Sequence, residues 1–253
     1  MGKIKQSLTW GPASRAAATP DEAIRKAAEL GFVAIEMGPE QHWAAIKAAG
    51  MVVPIIGGHR SLPDGLNKRS NHDRIETELR ANIRRAAANG IPSLITFSGN
   101  RNGLPDDEGI EICAEGLRRV IADAEDAGIN LCMELLNSKV DHHDYQCDHT
   151  TWGVKLCEAV GSPRCKLLFD IYHMQIMEGD LIRNIRDHIR HIGHFHTAGN
   201  PGRHNLDDNQ EIYYPAVMRA IAATDYAGYV GHEFGPQGDP VEALKQAYAA
   251  CNV

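Results

Sequence analysis

Four side chains that can hold a metal ion close four successive apolar runs in the second half of the sequence. Glu134 ends Cys-Met-Glu, Asp170 ends Leu-Leu-Phe-Asp, His196 ends His-Phe-His and Glu233 ends Gly-His-Glu. A carboxylate at the end of an apolar strand is costly to bury unless its charge is met. A divalent cation meets it. Three carboxylates and one imidazole suit Mn²⁺, Mg²⁺ or Co²⁺, with positions left open for water or substrate. They suit Zn²⁺ less well, because zinc more often takes His and Cys. A cation held between two glutamates can bind the carbonyl and neighbouring hydroxyl of an α-hydroxycarbonyl compound. It then stabilises the enediolate formed when a proton leaves carbon. Glu134 and Glu233 lie three strands apart, can flank such a compound, and are read as the catalytic acid and base.

Further residues follow by position. His173 comes three residues after Asp170 and can touch substrate or brace a ligand. Arg203 follows Pro201-Gly202, a turn that swings its guanidinium over the site. A planar cation of this kind suits the carboxylate of a hydroxy-keto acid through two parallel hydrogen bonds. His59, in Gly57-Gly58-His59-Arg60 after the third strand, is read as a third substrate contact. Trp10 ends the first strand as a pocket wall or as core. Asp141-His142-His143-Asp144 cannot all point at one ion, so one or two of them support the ligands. Lys139 reads as solvated.

The elements that carry these residues are marked by glycine. Six times an alanine-rich, helix-like segment stops at Gly and an apolar run follows, at Gly31, Gly50, Gly90, Gly128, Gly161 and Gly228. Gly takes the left-handed conformation that ends a helix, so each case reads as helix, stop, strand. Thr19-Pro20-Asp21-Glu22 is a capping box with Pro at the first helical position, and Asp239-Pro240-Val241-Glu242 repeats the device. Ile75, Leu79 and Ile83 keep a helical period, as do Ile110, Cys113, Leu117 and Val120. Strands are predicted near 4–10, 32–37, 51–57, 92–98, 129–135, 165–171, 191–197 and 228–234. Eight βα units in 253 residues is the arithmetic of a single (β/α)8 TIM barrel spanning 1–253, with an active site at the carboxyl ends of the strands. A doubly wound sheet would bring a Gly-rich phosphate loop after the first strand, where Thr9-Trp10-Gly11-Pro12 stands instead.

Composition sets the outer bounds. An apolar fraction of 43% suits a globular domain, and no run approaches the ~18 apolar residues of a membrane span. The first residues, Met-Gly-Lys-Ile-Lys-Gln, lead into a strand without an apolar leader segment. A net charge of −7 argues against binding a phosphate backbone. Six cysteines without a Cys-x-x-Cys pair read as reduced and structural. The expectation is a cytoplasmic protein acting on a small molecule, with neither nucleic acid nor membrane as partner.

The set Glu134, Asp170, His173, His196 and Glu233 resembles the xylose isomerase-like barrels, which include hydroxypyruvate isomerases and ketose 3-epimerases. The resemblance covers the whole chain and is strongest in MELLNSKVDHHDYQCD, FDIYH, GHFHTAGNPGRHNLD and GYVGHEF. It implies a TIM barrel, the four metal ligands above, the two glutamates as acid and base, and a homodimer or homotetramer. The stretch His196-x-x-Gly-x-Pro-Gly-Arg203-His204 is most similar to the hydroxypyruvate isomerases. His196 itself, where some of those carry Gln, is shared with the epimerases. The implied reaction is isomerisation of a small hydroxy-keto acid, hydroxypyruvate to tartronate semialdehyde in the leading case. Ketose 3-epimerase and inosose dehydratase are the alternatives within the family. A repair nuclease of abasic DNA needs three metals and a basic groove, against which the acidic balance counts. A barrel that binds a sugar acid without turning it over is the remaining reading.

Overall fold

Strand formation here follows from helices that are stopped sharply. In the computed structural model, which describes residues 2–253, Gly31, Gly50, Gly90, Gly128 and Gly161 all have positive φ. The sixth, Gly228, does not. The helix Tyr214–Ala222 has already ended upstream, and a Cβ at 228 would sit 2.4 Å from the Tyr226 hydroxyl. That glycine makes room for a ring; the others turn the chain. Both predicted caps form. Thr19 and Glu22 exchange side-chain and backbone hydrogen bonds, and Asp239 accepts from the amides of Val241 and Glu242. Ile75, Leu79 and Ile83 are buried along the helix His72–Asn89. The period from Ile110 to Leu117 lies on the helix Asp106–Arg118. Val120 instead stands at the break before the next helix, Ile121–Ala127.

The eight strands are β1 (Lys5–Thr9), β2 (Ala34–Glu36), β3 (Ile55–Gly57), β4 (Ser93–Thr96), β5 (Asn130–Leu135), β6 (Cys165–Asp170), β7 (Ile192–Thr197) and β8 (Tyr229–His232). The chain divides into two compact units, one of residues 2–54, 180–189 and 194–253, the other of residues 55–179 and 190–193. No helix among the described residues is long and apolar enough to cross a membrane. All six cysteines are free and buried.

In the first unit the order is β2-β1-β8-β7, all parallel. Ser7 stands opposite Ala34 and Gly231, and Gly231 opposite His196. Side chains on a strand alternate faces, so Glu36, His194 and Glu233 share the face of that row. The other face carries Leu8, Phe195, Val230 and His232, all buried.

The second unit runs β3-β4-β5-β6, also parallel. Ile55, Ile95, Cys132 and Leu168 make one buried cluster, with Phe97 packed against it. Glu134 and Asp170 lie two residues beyond Cys132 and Leu168, on the same face and one pleat closer to the carboxyl ends of their strands. Core packing thus aims the two acids.

Candidate metal centre and active site

In the second unit the ligand-type residues sit on β5, β6 and the helix Ile171–Met177. Glu134 is 6% exposed, and its backbone carbonyl accepts the Tyr145 hydroxyl at 3.0 Å. Asp170 is fully buried and caps that helix, its Oδ1 accepting the amides of Tyr172 at 2.9 Å and His173 at 3.3 Å. One oxygen therefore serves the backbone, and Oδ2 faces His173 Nε2 at 3.6 Å.

The other side of His173 fixes its protonation. Asn137 Oδ1 accepts the amides of Val140 and Asp141 at 3.0 and 2.9 Å, which orients the side-chain amide. Its Nδ2 then donates to Asp141 Oδ2 at 2.7 Å and to His173 Nδ1 at 2.6 Å. An imidazole nitrogen that accepts carries no proton, so His173 bears its hydrogen on Nε2, toward Asp170. Asp141 is held in turn by the Tyr172 hydroxyl at 2.8 Å.

In the first unit the arrangement is built around a buried anion. Glu36, fully buried, accepts Ser7 Oγ at 2.6 Å on Oε1. Its Oε2 meets His194 Nε2 at 2.7 Å and His196 Nε2 at 3.2 Å. Burial would raise the Glu36 carboxyl, but the charge and hydrogen bond of His194, with the hydrogen bond of His196, outweigh it. The group is held well below the usual carboxylate range. His196 turns its other nitrogen, Nδ1, to Glu233 Oε2 at 3.1 Å. Arg203, at φ +58° after Gly202, reaches the same oxygen with one guanidinium nitrogen at 2.6 Å. Glu233 and Arg203 line a cleft of about 410 Å³ together with Trp10, Met37 and Phe234. Glu36, His194 and His196 form one group able to hold a metal ion.

A family model described as xylose isomerase-like TIM barrel matches residues 24–251, through both units. The chain belongs to that family. Its fold is accordingly a (β/α)8 barrel. A putative hydroxypyruvate isomerase from Homo sapiens is 28% identical over 240 residues, covering 87% of this chain and 86% of that protein. A 2-oxo-tetronate isomerase from Cupriavidus necator is 34% identical over 110 residues, 44% of this chain and 42% of its own. Among solved structures, AP endonuclease, family 2, from Brucella melitensis matches with a TM-score of 0.85 at 24% identity, over 99% of this chain and 100% of that one. At that identity the likeness concerns the fold alone. The curated relatives are isomerases, and the chain is an enzyme of that class.

Other residues singled out by sequence have definite partners in this xylose isomerase-like barrel. His59 is buried, with Nδ1 on the Arg60 carbonyl at 3.0 Å and Nε2 accepting the Phe97 amide at 2.9 Å. Both ring nitrogens serve the backbone, and burial lowers its pKa. Lys139 is not simply solvated: it caps the helix Ile171–Met177 through the carbonyls of Ile176 and Met177. Trp10 lines the cleft and stacks on His42 at 4.8 Å. Sequence reasoning passed over Glu36, His194 and Asn137. The signal for Glu36 was present, since Ala-Ile-Glu also ends an apolar strand in a carboxylate.

Proposed function

We propose that Glu134, Asp170, His196 and Glu233 together hold one divalent cation, Mn²⁺, Mg²⁺ or Co²⁺, and that the protein isomerises a small hydroxy-keto acid. Hydroxypyruvate, converted to tartronate semialdehyde, is the leading substrate. The observation that carries this reading is the state of His196. A carboxylate stands behind its Nε2, which must therefore carry hydrogen, and its Nδ1 faces a second carboxylate oxygen at 3.1 Å. A nitrogen lone pair and a carboxylate oxygen at that distance repel unless a cation or proton lies between them. The donor set of three carboxylates and one imidazole fits a metal of the hard or borderline kind. When bound, the cation supplies polarisation of the substrate carbonyl.

The chain's own residues supply the rest. One of Glu134 and Glu233 takes the proton from the hydroxymethyl carbon, and the other returns a proton to the former carbonyl carbon. The hydroxyl proton passes between the two neighbouring oxygens, and exchange with water resets the two carboxyls. Asp170 is held by the two amides it caps and faces the Nε2–H of His173. Arg203 pairs with Glu233, and its planar guanidinium matches the geometry of a substrate carboxylate. The cleft beside it is walled by Trp10, Met37 and Phe234.

The test is coupled turnover of hydroxypyruvate after chelation and after return of each metal, with a four-carbon 2-keto acid and free ketoses in parallel. Metal-restored turnover of the acids is the outcome expected. Inactivity toward both acids with every metal would remove the proposed substrate class. Solvent deuterium appearing at C3 of a ketose would replace it with the epimerase reading, which the histidine at position 196 favours by resemblance.

A further inference from the structure

The most heavily built polar feature outside the proposed ligand set is the Glu36 carboxylate, and we infer that Glu36 is a positioning residue that locks His196 in its metal-binding tautomer. The inference rests on the proposed metal site and adds to it a residue that touches neither ion nor substrate.

The argument begins with the number of donors converging on one anion. Ser7 Oγ, His194 Nε2 and His196 Nε2 all lie within 3.2 Å of the Glu36 oxygens. An ionised carboxylate only accepts hydrogen bonds, so both imidazoles present N–H at Nε2. For His196 that leaves Nδ1, on the Glu233 side of the ring, as the atom able to donate a lone pair. A second-sphere carboxylate on the far nitrogen of a ligating histidine fixes ring orientation and raises its basicity.

The neighbouring backbone is shaped to admit this carboxylate. A Cβ at Gly231 would come within 2.1 Å of Glu36 Oε1 and 3.0 Å of His196 Cδ2. Strand β8 thus carries no side chain at the one point where the carboxylate and the ring meet it. His194 braces the pair from below, its ring edge-on to His196 at 5.2 Å and 86°. Side-chain alternation brings His194 to the same face as His196, two residues on.

Two variants separate geometry from charge. Glu36→Gln keeps the shape, its amide oxygen can still accept from both histidines, and its amide nitrogen can turn to the Ser7 hydroxyl. Glu36→Ala removes both shape and charge. In ¹⁵N NMR of the metal-free proteins, His196 should carry its proton on Nε2 in wild type and in Glu36→Gln, and shift toward a mixture of tautomers in Glu36→Ala. Titration with Mn²⁺ should show about 10-fold weaker binding for Glu36→Gln and about 100-fold weaker for Glu36→Ala, the range that loss of an outer partner produces. Excess Mn²⁺ should restore turnover in Glu36→Gln, a rescue that a merely misfolded variant would not show. If Glu36→Ala does not fold, Glu36→Gln carries the test through its Mn²⁺ affinity. Unchanged affinity in Glu36→Gln, or an unchanged His196 ¹⁵N pattern in a folded Glu36→Ala, overturns the inference. Failure of the wild type to bind any divalent ion overturns the metal reading instead, while the NMR comparison still decides the role of Glu36.

Discussion

The two units each place a histidine beside a buried carboxylate, yet they use the ring in opposite senses. His196 has an anion behind it, so its rear nitrogen must donate and its forward nitrogen carries the lone pair that the proposed site would use. His173 has a neutral amide behind it, so its rear nitrogen accepts and its forward nitrogen carries the hydrogen toward Asp170. A ring that offers a lone pair can serve as a ligand; a ring that offers a proton can steady one. The lesson is that a histidine's role near a metal is set by the group on its far side.

The sharpest way to break the comparison is to remove what both histidines serve. Glu134→Gln and Glu233→Gln should each lower kcat by at least about 1,000-fold, since proton transfer and charge at the reacting centre go together. Their unfolding midpoints should stay close to wild type; substantial turnover in either variant would undo the two-carboxylate mechanism. Next in size is the amide behind His173. Asn137→Asp replaces a donor by an acceptor, forces the proton to His173 Nδ1 and turns a bare Nε2 toward Asp170 Oδ2. Activity should fall about 10- to 100-fold, with a matching change in the His173 ¹⁵N spectrum; an unaltered spectrum would refute the tautomer assignment.

Smaller still is the effect of Arg203→Lys, which keeps the charge and loses the planar fork. KM for a keto acid should rise about 10-fold with kcat less affected, and an equal loss on an uncharged ketose would show that Arg203 does not read the carboxylate. The smallest effect belongs to His59, whose pKa burial lowers from the ordinary 6.5. The unfolded chain then binds the proton that the folded chain refuses, so stability falls as pH drops below that value. Comparing urea midpoints at pH 7.5 and 5.5, the gap between wild type and His59→Gln should narrow by at most about 1.4 kcal/mol per pH unit. A constant gap would place the folded His59 at its ordinary pKa.

The strands and their order along the chain were legible because glycine stops and apolar runs are local signals. Gly90 and Gly128 mark their helix ends at C-caps with φ of 68° and 70°. The candidate ligands Glu134, Asp170, His196 and Glu233 stand out in the sequence for the same reason, since each ends such a run. What escaped was non-local. Glu36 ends a strand of only three residues, and its importance lies with His194, 158 positions away. Asn137 takes its meaning from His173, 36 residues on. The partners of His59 are backbone atoms of Arg60 and Phe97, which side-chain types do not encode.

Asp170 divides its two oxygens between a helix and a histidine, and that economy carries a cost for anyone dissecting the centre. Exchanging it for alanine would strip a donor from the proposed cation site and fray the first turn of Ile171–Met177, the segment on which His173 rides. Chemistry and scaffold are welded at this position, so its loss should be felt as disorder and as lost affinity at once.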